Sequence, residues 1–386
     1  MTDTLPASYV LVADDQADVV DALRLVLKTA GFETDSASSV ETVRERLLAR
    51  RYDLLLMDLN YARDTTSGRE GLELLAEVLA RDPFLPVIVM TGWGTIETAV
   101  EAMRRGARTF VHKPWDNAEL VRIVRREIDE GHVRRRAGAI ASREREDARL
   151  IQRALLPSAM PAIPGCEIAV RWEPASDFGG DCYDALRLGG GRVGISIADV
   201  SGKGLPAAFL MSNLQASVRA FAAQQSSPRY VASGINRALC GNPALRTFAT
   251  FFYAVIDITT RTLTFSNAGH NPPILVRADG SVERLAAGGL VLGVRESAPY
   301  EQGETRIAAG DRIVLFTDGL NEAENGAGLD FGDDQLVETV VRHREQPAEA
   351  LLETIFTRVR DFTGGRFTDD ATLIAIAFGP AAPGRA

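Results

Sequence analysis

Four short apolar runs near the start of the chain constrain its fold most: YVLVADD, DLLLMD, PVIVMT and TFVHK. Each packs apolar or β-branched residues without polar interruption and then ends on a polar one, as strands buried on both faces do. FETDSA is a weaker, edge-like strand between the first two. The stretches 17–30 and 96–105 carry apolar residues at helical spacing and stop at Gly31 and Gly106. Strands alternating with helices at this length predict a parallel α/β sheet of five strands covered on both faces, in the flavodoxin-like order. This domain is expected over residues 8–128.

From 117 to 156 the composition shifts to Arg, Glu and Ala. Leu120, Val124, Ile128, Ile140, Ala148, Ile151 and Leu155 form an imperfect stripe, broken by Arg134, Arg135 and Arg136. The pattern predicts a helical linker that continues the last helix of the first domain and can pair as a coiled coil; a solvated connector is the plain alternative. Beyond it, residues 157–379 read as an α+β domain, an antiparallel β-sandwich flanked by helices. Its expected hairpins are DALRLGGGRVGISIADV, TFFYAVIDITTRTLTFSNAG, PILVRADGSVERL and TRIAAGDRIVLFTDG. Helices are expected at 205–223, 228–240, 333–344 and 347–362, and residues 380–386 form a tail.

A net charge of −9 argues against coating nucleic acid, and no apolar run approaches the length of a membrane span. The start MTDTLPAS lacks a basic segment before an apolar one, so a cytoplasmic location is expected. Cys166, Cys182 and Cys240 suggest neither a disulfide frame nor a zinc cluster. With only four histidines, metal chemistry must rest on carboxylates, which suits Mg²⁺ or Mn²⁺.

Asp14 and Asp15 end the first predicted strand, Asp58 the third, Thr91 the fourth and Lys113 the fifth. Those are neighbouring carboxyl ends of a parallel sheet, where ligands sit. Carboxylates gathered there repel unless a cation lies among them, and Mg²⁺ can hold a phosphoryl donor against a nucleophilic aspartate. At these residues the chain resembles the receiver domain of two-component response regulators. The resemblance implies Asp58 as phosphoacceptor, Asp14, Asp15 and Asp58 around Mg²⁺, Thr91, Lys113 and Phe110 as switch residues, and a sensor histidine kinase as partner. One departure is the stretch between Asp58 and Gly71, about five residues longer than the usual loop.

The last domain carries GGDCYD (Asp181, Asp184), ADVSGKG (Asp199), FTDGL (Asp318) and TDDAT (Asp369, Asp370). Aspartates held near one another, almost without histidine, suit a two-metal hydrolytic site. With IQRALLP, FATFFYAVID, SNAGHNPP and DDATLIAI, these motifs resemble the SpoIIE/RsbU branch of the PPM metal-dependent serine/threonine phosphatases. The resemblance implies Asp181, Asp199 (bridging), Asp318 and Asp369 as ligands of two Mn²⁺ or Mg²⁺ ions. The Val200 carbonyl would complete the set, and Asp370 could exchange with Asp369. His270 reads as structural, and Arg171 is the nearest match to a phosphate-binding arginine.

Together these imply a response regulator that dephosphorylates phosphoserine or phosphothreonine on a protein under control of Asp58. The implied substrate is an anti-sigma-factor antagonist of the STAS type, and a homodimer through the linker is expected. A non-catalytic partner-switching adaptor is the alternative. A DNA-binding output is disfavoured by the acidic balance and the lack of a helix-turn-helix pattern.

Overall fold

The computed structural model describes residues 8–61, 69–92, 96–225, 227–241 and 247–380, with 96 and 97 by backbone alone. The extended stretch expected after Asp58 falls largely at 62–68, and most of the tail at 381–386, both outside the described residues. The chain divides into two compact units, Met1–Glu144 and Arg145–Ala386.

The first unit alternates β1 (Tyr9–Ala13), α1 (Ala17–Thr29), β2 (Glu33–Ala37), α2 (Val40–Ala49), β3 (Leu54–Asp58), α3 (Arg69–Arg81), β4 (Val87–Thr91), α4 (Ile96–Arg104) and β5 (Thr109–His112). The strands are parallel in the order β2-β1-β3-β4-β5, with β2 at an edge as its weak pattern suggested. Side-chain alternation divides each central strand between two cores. Val10, Val12, Leu54 and Leu56 pack with Leu23 and Leu27 of α1, while Leu11, Leu55 and Met57 pack with Leu74, Leu75 and Val78 of α3.

The next helix, α5 (Asn117–Leu155), begins in the first unit and ends in the second. Leu120, Val124 and Ile128 complete the core that α1 covers, which fixes its first turns. Farther along, Val133, Ile140 and Ile151 are exposed.

The second unit contains β6 (Cys166–Glu173), β7 (Cys182–Gly189), β8 (Arg192–Val200), α6 (Leu205–Gln224), α7 (Pro228–Cys240), β9 (Ala249–Asp257), β10 (Thr262–Ala268), β11 (Ile274–Val276) and β12 (Val282–Arg284). There follow β13 (Gly288–Gly289), β14 (Gly303–Arg306), β15 (Arg312–Phe316), α8 (Asp318–Asn321), α9 (Asp333–Arg342), α10 (Ala348–Thr363) and β16 (Ala371–Phe378). One sheet runs β13-β10-β9-β8-β7 with β14 also on β10; the other runs β12-β11-β15-β16-β6. Helices α6 and α7 cover the first sheet, and α9 and α10 the second. Alternation again assigns the cores: Ile313, Leu315, Ile374 and Ile376 join the core shared with the first sheet, while Val314, Phe316, Leu373 and Ala375 face α9 and α10.

One expected hairpin is absent. TRIAAGDRIVLF supplies β14 to the first sheet and β15 to the second, so its turn crosses between sheets. The Asp311 carboxylate stabilises the crossing by accepting from Ala308 N at 2.9 Å, Ala278 N at 3.2 Å and Arg277 Nη1 at 3.1 Å. Among the described residues, no helix is long and apolar enough to cross a membrane.

Candidate phosphoacceptor and metal sites

In the first unit Asp14 follows β1 directly, Asp58 ends β3, Thr91 ends β4 and Lys113 follows β5. Ligand oxygens of Asp14, Asp15 and Asp58 all lie within 4.8 Å of one another. Lys113 Nζ donates to Asp14 Oδ2 and to Asp58 Oδ2, each at 2.6 Å. Burial, the largest influence on Asp14, raises its pKa, against hydrogen bonds from Lys113 and Gln16 N. Burial lowers Lys113, but bonding to the two carboxylates outweighs it and leaves the ammonium harder to deprotonate. The Thr91 hydroxyl is buried and has no hydrogen-bond partner among the described residues. Phe110 is 40% exposed and meets the His112 ring edge-on, its centroid 5.7 Å away. An oxygen-only donor set, a fixed ammonium and an unengaged hydroxyl fit Mg²⁺ and a phosphoryl group.

In the second unit the aspartates come from both sheets. Asp199 lies near the end of β8, Asp181 precedes β7, Asp318 opens α8 after β15, and Asp369 and Asp370 precede β16. Asp181 is 1% exposed, and its Oδ2 accepts from Thr317 Oγ1 at 2.7 Å and Thr372 Oγ1 at 2.6 Å. Burial, then the Asp199 charge, pushes its pKa well up. Asp199 is raised to about 7 by burial, then by Asp318, Asp369 and Asp370. Asp318 is raised by burial and by Asp369.

Asp369 and Asp370 differ in what they touch. Asp370 accepts from Ala175 N at 2.8 Å and Gly180 N at 2.6 Å, which holds the loop before Asp181. Asp369 is half exposed, with Oδ2 3.3 Å from Lys203 Nζ. Asp181, Asp199, Asp318 and Asp370 are each raised first by burial and then by a neighbouring carboxylate, and a divalent cation would offset both. A second observation agrees. A Cβ on Gly180 would come within 2.7 Å of the Val200 carbonyl oxygen and 3.6 Å of Asp199 Oδ1, so glycine keeps that carbonyl uncovered.

Other singled-out residues lie outside this cluster. Asp184 is buried against Arg219 Nε at 2.6 Å. Arg171 is taken by Glu173 at 2.8 Å and Glu353 at 2.6 Å, with its guanidinium 4.9 Å from the Phe356 ring centre. His270 is buried, its Nδ1 2.8 Å from Thr250 Oγ1, and burial lowers its pKa to about 4. It is a neutral core imidazole.

Sequence reasoning missed Thr317, Thr372 and Gln152. The buried Gln152 amide donates to Gly179 O at 2.7 Å and accepts from Gly179 N at 3.3 Å. The end of α5 is also held by Gln215 Nε2 and Arg219 Nη2 of α6, which donate to Leu155 O at 3.0 and 3.2 Å. A glutamine within a polar helix carries no signal of burial. The threonines differ, since a hydroxyl beside each acidic motif could have marked an aspartate in need of donors.

Residues 10–125 match the response regulator receiver domain family, and residues 189–379 the family described as Stage II sporulation protein E (SpoIIE). The phosphoserine phosphatase RsbU of Bacillus subtilis is 30% identical over 234 residues, which are 60% of this chain and 69% of that protein. Protein IcfG of Synechocystis sp. is 27% identical over 260 residues, 60% of this chain and 41% of that protein, so the chain spans under half of that relative's length. The SiaA-PP2C domain of Pseudomonas aeruginosa shares the fold of the second unit, with a TM-score of 0.56 at 22% identity over 63% of this chain and 98% of that domain. The chain thus belongs to the response regulators that join a receiver domain to a PPM-type phosphatase domain of the SpoIIE/RsbU branch.

Proposed function

We propose that this chain removes phosphate from phosphoserine or phosphothreonine of a protein, and that phosphorylation of Asp58 in the receiver controls the rate. The observation that carries the reading is the delivery of Asp181, Asp199, Asp318 and Asp369 from strand ends of both sheets, near enough that Asp318 and Asp369 add to burial in raising Asp199. Asp181, Asp199, Asp318 and Asp369, with the Val200 carbonyl, would hold two Mn²⁺ or Mg²⁺ ions. When bound, such ions lower the pKa of water and neutralise phosphoryl charge. The chain's own residues orient this set: Thr317 and Thr372 fix Asp181, and Asp370 fixes the loop carrying Gly180.

The proposed substrate is the phosphoserine form of a STAS-type anti-sigma-factor antagonist, supported by the likeness to RsbU, itself named a phosphoserine phosphatase. In the receiver, Asp14, Asp15 and Asp58 would hold Mg²⁺, Asp58 would take phosphate from a sensor histidine kinase, and Thr91, Lys113 and Phe110 would respond. The test is hydrolysis of a serine phosphopeptide by purified protein with Mn²⁺ or Mg²⁺. Turnover that stops in chelator is expected. Equal turnover in chelator, or none with either ion and a phosphorylated antagonist, defeats the reading.

A further inference from the structure

A phosphate monoester carries nearly two negative charges at neutral pH and must approach a cluster of aspartates. A side-chain cation at the mouth of that cluster would make the approach favourable. Arg171 is committed to Glu173, Glu353 and the Phe356 ring. Arg219 is committed to Asp184 and the Leu155 carbonyl.

Lys203 differs. Its Nζ lies 3.3 Å from Asp369 Oδ2 and 3.4 Å from Thr368 O, yet the side chain is 71% exposed. The backbone beside it is anchored, while the ammonium is held through these two exposed contacts. Ser201 N donates to Phe248 O at 3.0 Å, and Phe248 N donates to Ser201 Oγ at 3.1 Å. Gly202 (φ 111°) and Gly204 (φ 74°) adopt the left-handed conformations that turn the chain from β8 into α6. The ammonium therefore extends from the loop after Asp199 to the loop before β16, across the site. Its exposed ion pair is weak, and a divalent cation engaging Asp369 would compete for that partner and leave only the long contact to Thr368 O. A lysine on a flexible stem is then free to meet another anion as a point charge.

We propose that Lys203 is a substrate-binding residue whose ammonium takes the phosphoryl oxygens of the phosphoserine. This rests on the phosphatase reading and supplies the phosphate-binding cation that Arg171 cannot.

The test uses the full chain with Mn²⁺, a serine phosphopeptide and inorganic phosphate. Lys203→Ala should raise KM about tenfold or more while kcat changes less than about threefold, as expected for loss of a charge-assisted bond to the bound substrate. Inorganic phosphate, read as a competitive inhibitor and by calorimetry, should weaken by a similar factor, and Lys203→Arg should restore most of both. Mn²⁺ affinity should stay the same or tighten, because Asp369 loses a competing partner; a merely structural lysine would lower it or the melting temperature. Arg366→Ala, at an exposed position three residues before Asp369, should leave all of these unchanged. Unaltered KM and phosphate affinity in Lys203→Ala, or the same losses in Arg366→Ala instead, overturn the assignment. A wild type that hydrolyses no phosphopeptide counts against the phosphatase reading, while phosphate calorimetry on the Mn²⁺-loaded chain still decides the role of Lys203.

Discussion

Asp199 stands near the end of β8, where burial first and then the charges of Asp318, Asp369 and Asp370 raise it to about 7. Asp199→Asn keeps the shape and removes the charge, so metal-dependent hydrolysis should fall by at least about 10²-fold, as when a major electrostatic contact is lost elsewhere. In chelator at pH 8 the same variant should unfold no more easily than the wild type. A carboxyl whose folded pKa is raised contributes stability fully present below about 3.8 and lost as pH rises through about 7, so Asn removes a penalty there. Near-wild-type turnover, or a large loss of stability in chelator, would falsify the central role of this carboxylate. His270 works in the opposite sense. Its folded pKa of about 4 lies below the usual value of 6.5. The neutral ring therefore contributes its full stability above about pH 6.5 and loses it as pH falls through about 4, a swing of about 3 kcal/mol if unopposed. Denaturant unfolding at pH 7 and pH 4.5 should show this loss in the wild type and much less of it in His270→Gln. Equal losses in both proteins would remove His270 as the cause.

At the scale of elements, the informative one is α5, because its two ends do different work. Its start is a core helix through Leu120, Val124 and Ile128. Its last turn ties Gln152 to both backbone groups of Gly179, two residues before Asp181. Gln152→Ala leaves those groups buried without partners, at a cost of about 1–3 kcal/mol, and frees the loop that fixes Asp181. We expect kcat and Mn²⁺ affinity to fall together while phosphopeptide KM changes little; unchanged metal affinity would show that the clamp does not position the site. The amide clamp was illegible in the sequence, since a 3.6-residue period reports which apolar residues face a core, and Gln152 is polar. The same period did give α1, α4, α6, α7, α9 and α10. TRIAAGDRIVLF was misread because a turn between strands of one sheet and a turn between two sheets have the same local chemistry. What separates them is Asp311 accepting from Ala278 and Arg277, residues more than thirty positions away. The aspartates were legible because each follows or precedes an apolar run, which fixes where the backbone delivers it. That Asp370 is bound by Ala175 N and Gly180 N while Asp369 faces Lys203 depends on contacts no local pattern contains.

For the whole molecule, the proposed control requires that an event at Asp58 alter hydrolysis at Asp199. The continuous element available is α5, which starts after β5 and ends on Gly179 and α6. Val133, Ile140 and Ile151 are exposed along it, each more than half accessible. Their spacings of seven and eleven residues correspond to about two and three helical turns, so the three share one face. An apolar stripe this sparse, interrupted by Arg134 to Arg136, suits a weak pairing with the same helix of a second copy, and a weak pairing is one that a receiver can shift by a few kcal/mol. Beryllofluoride with Mg²⁺, standing in for the phosphoryl group on Asp58, should therefore change both the phosphopeptide turnover and the sedimentation of the full chain, and Asp58→Asn should abolish both responses. Ile140→Asp with Ile151→Asp should leave a monomer in which a small phosphoryl donor still labels Asp58 by mass spectrometry but turnover no longer answers to beryllofluoride. Because both positions are solvent-exposed, the charges disturb neither core, and melting of the two domains should be unchanged. A wild type that sediments as a monomer with and without beryllofluoride sinks the paired-helix account. So does a double variant whose turnover responds as the wild type does, since the signal would then reach Asp199 by a route that needs no second copy.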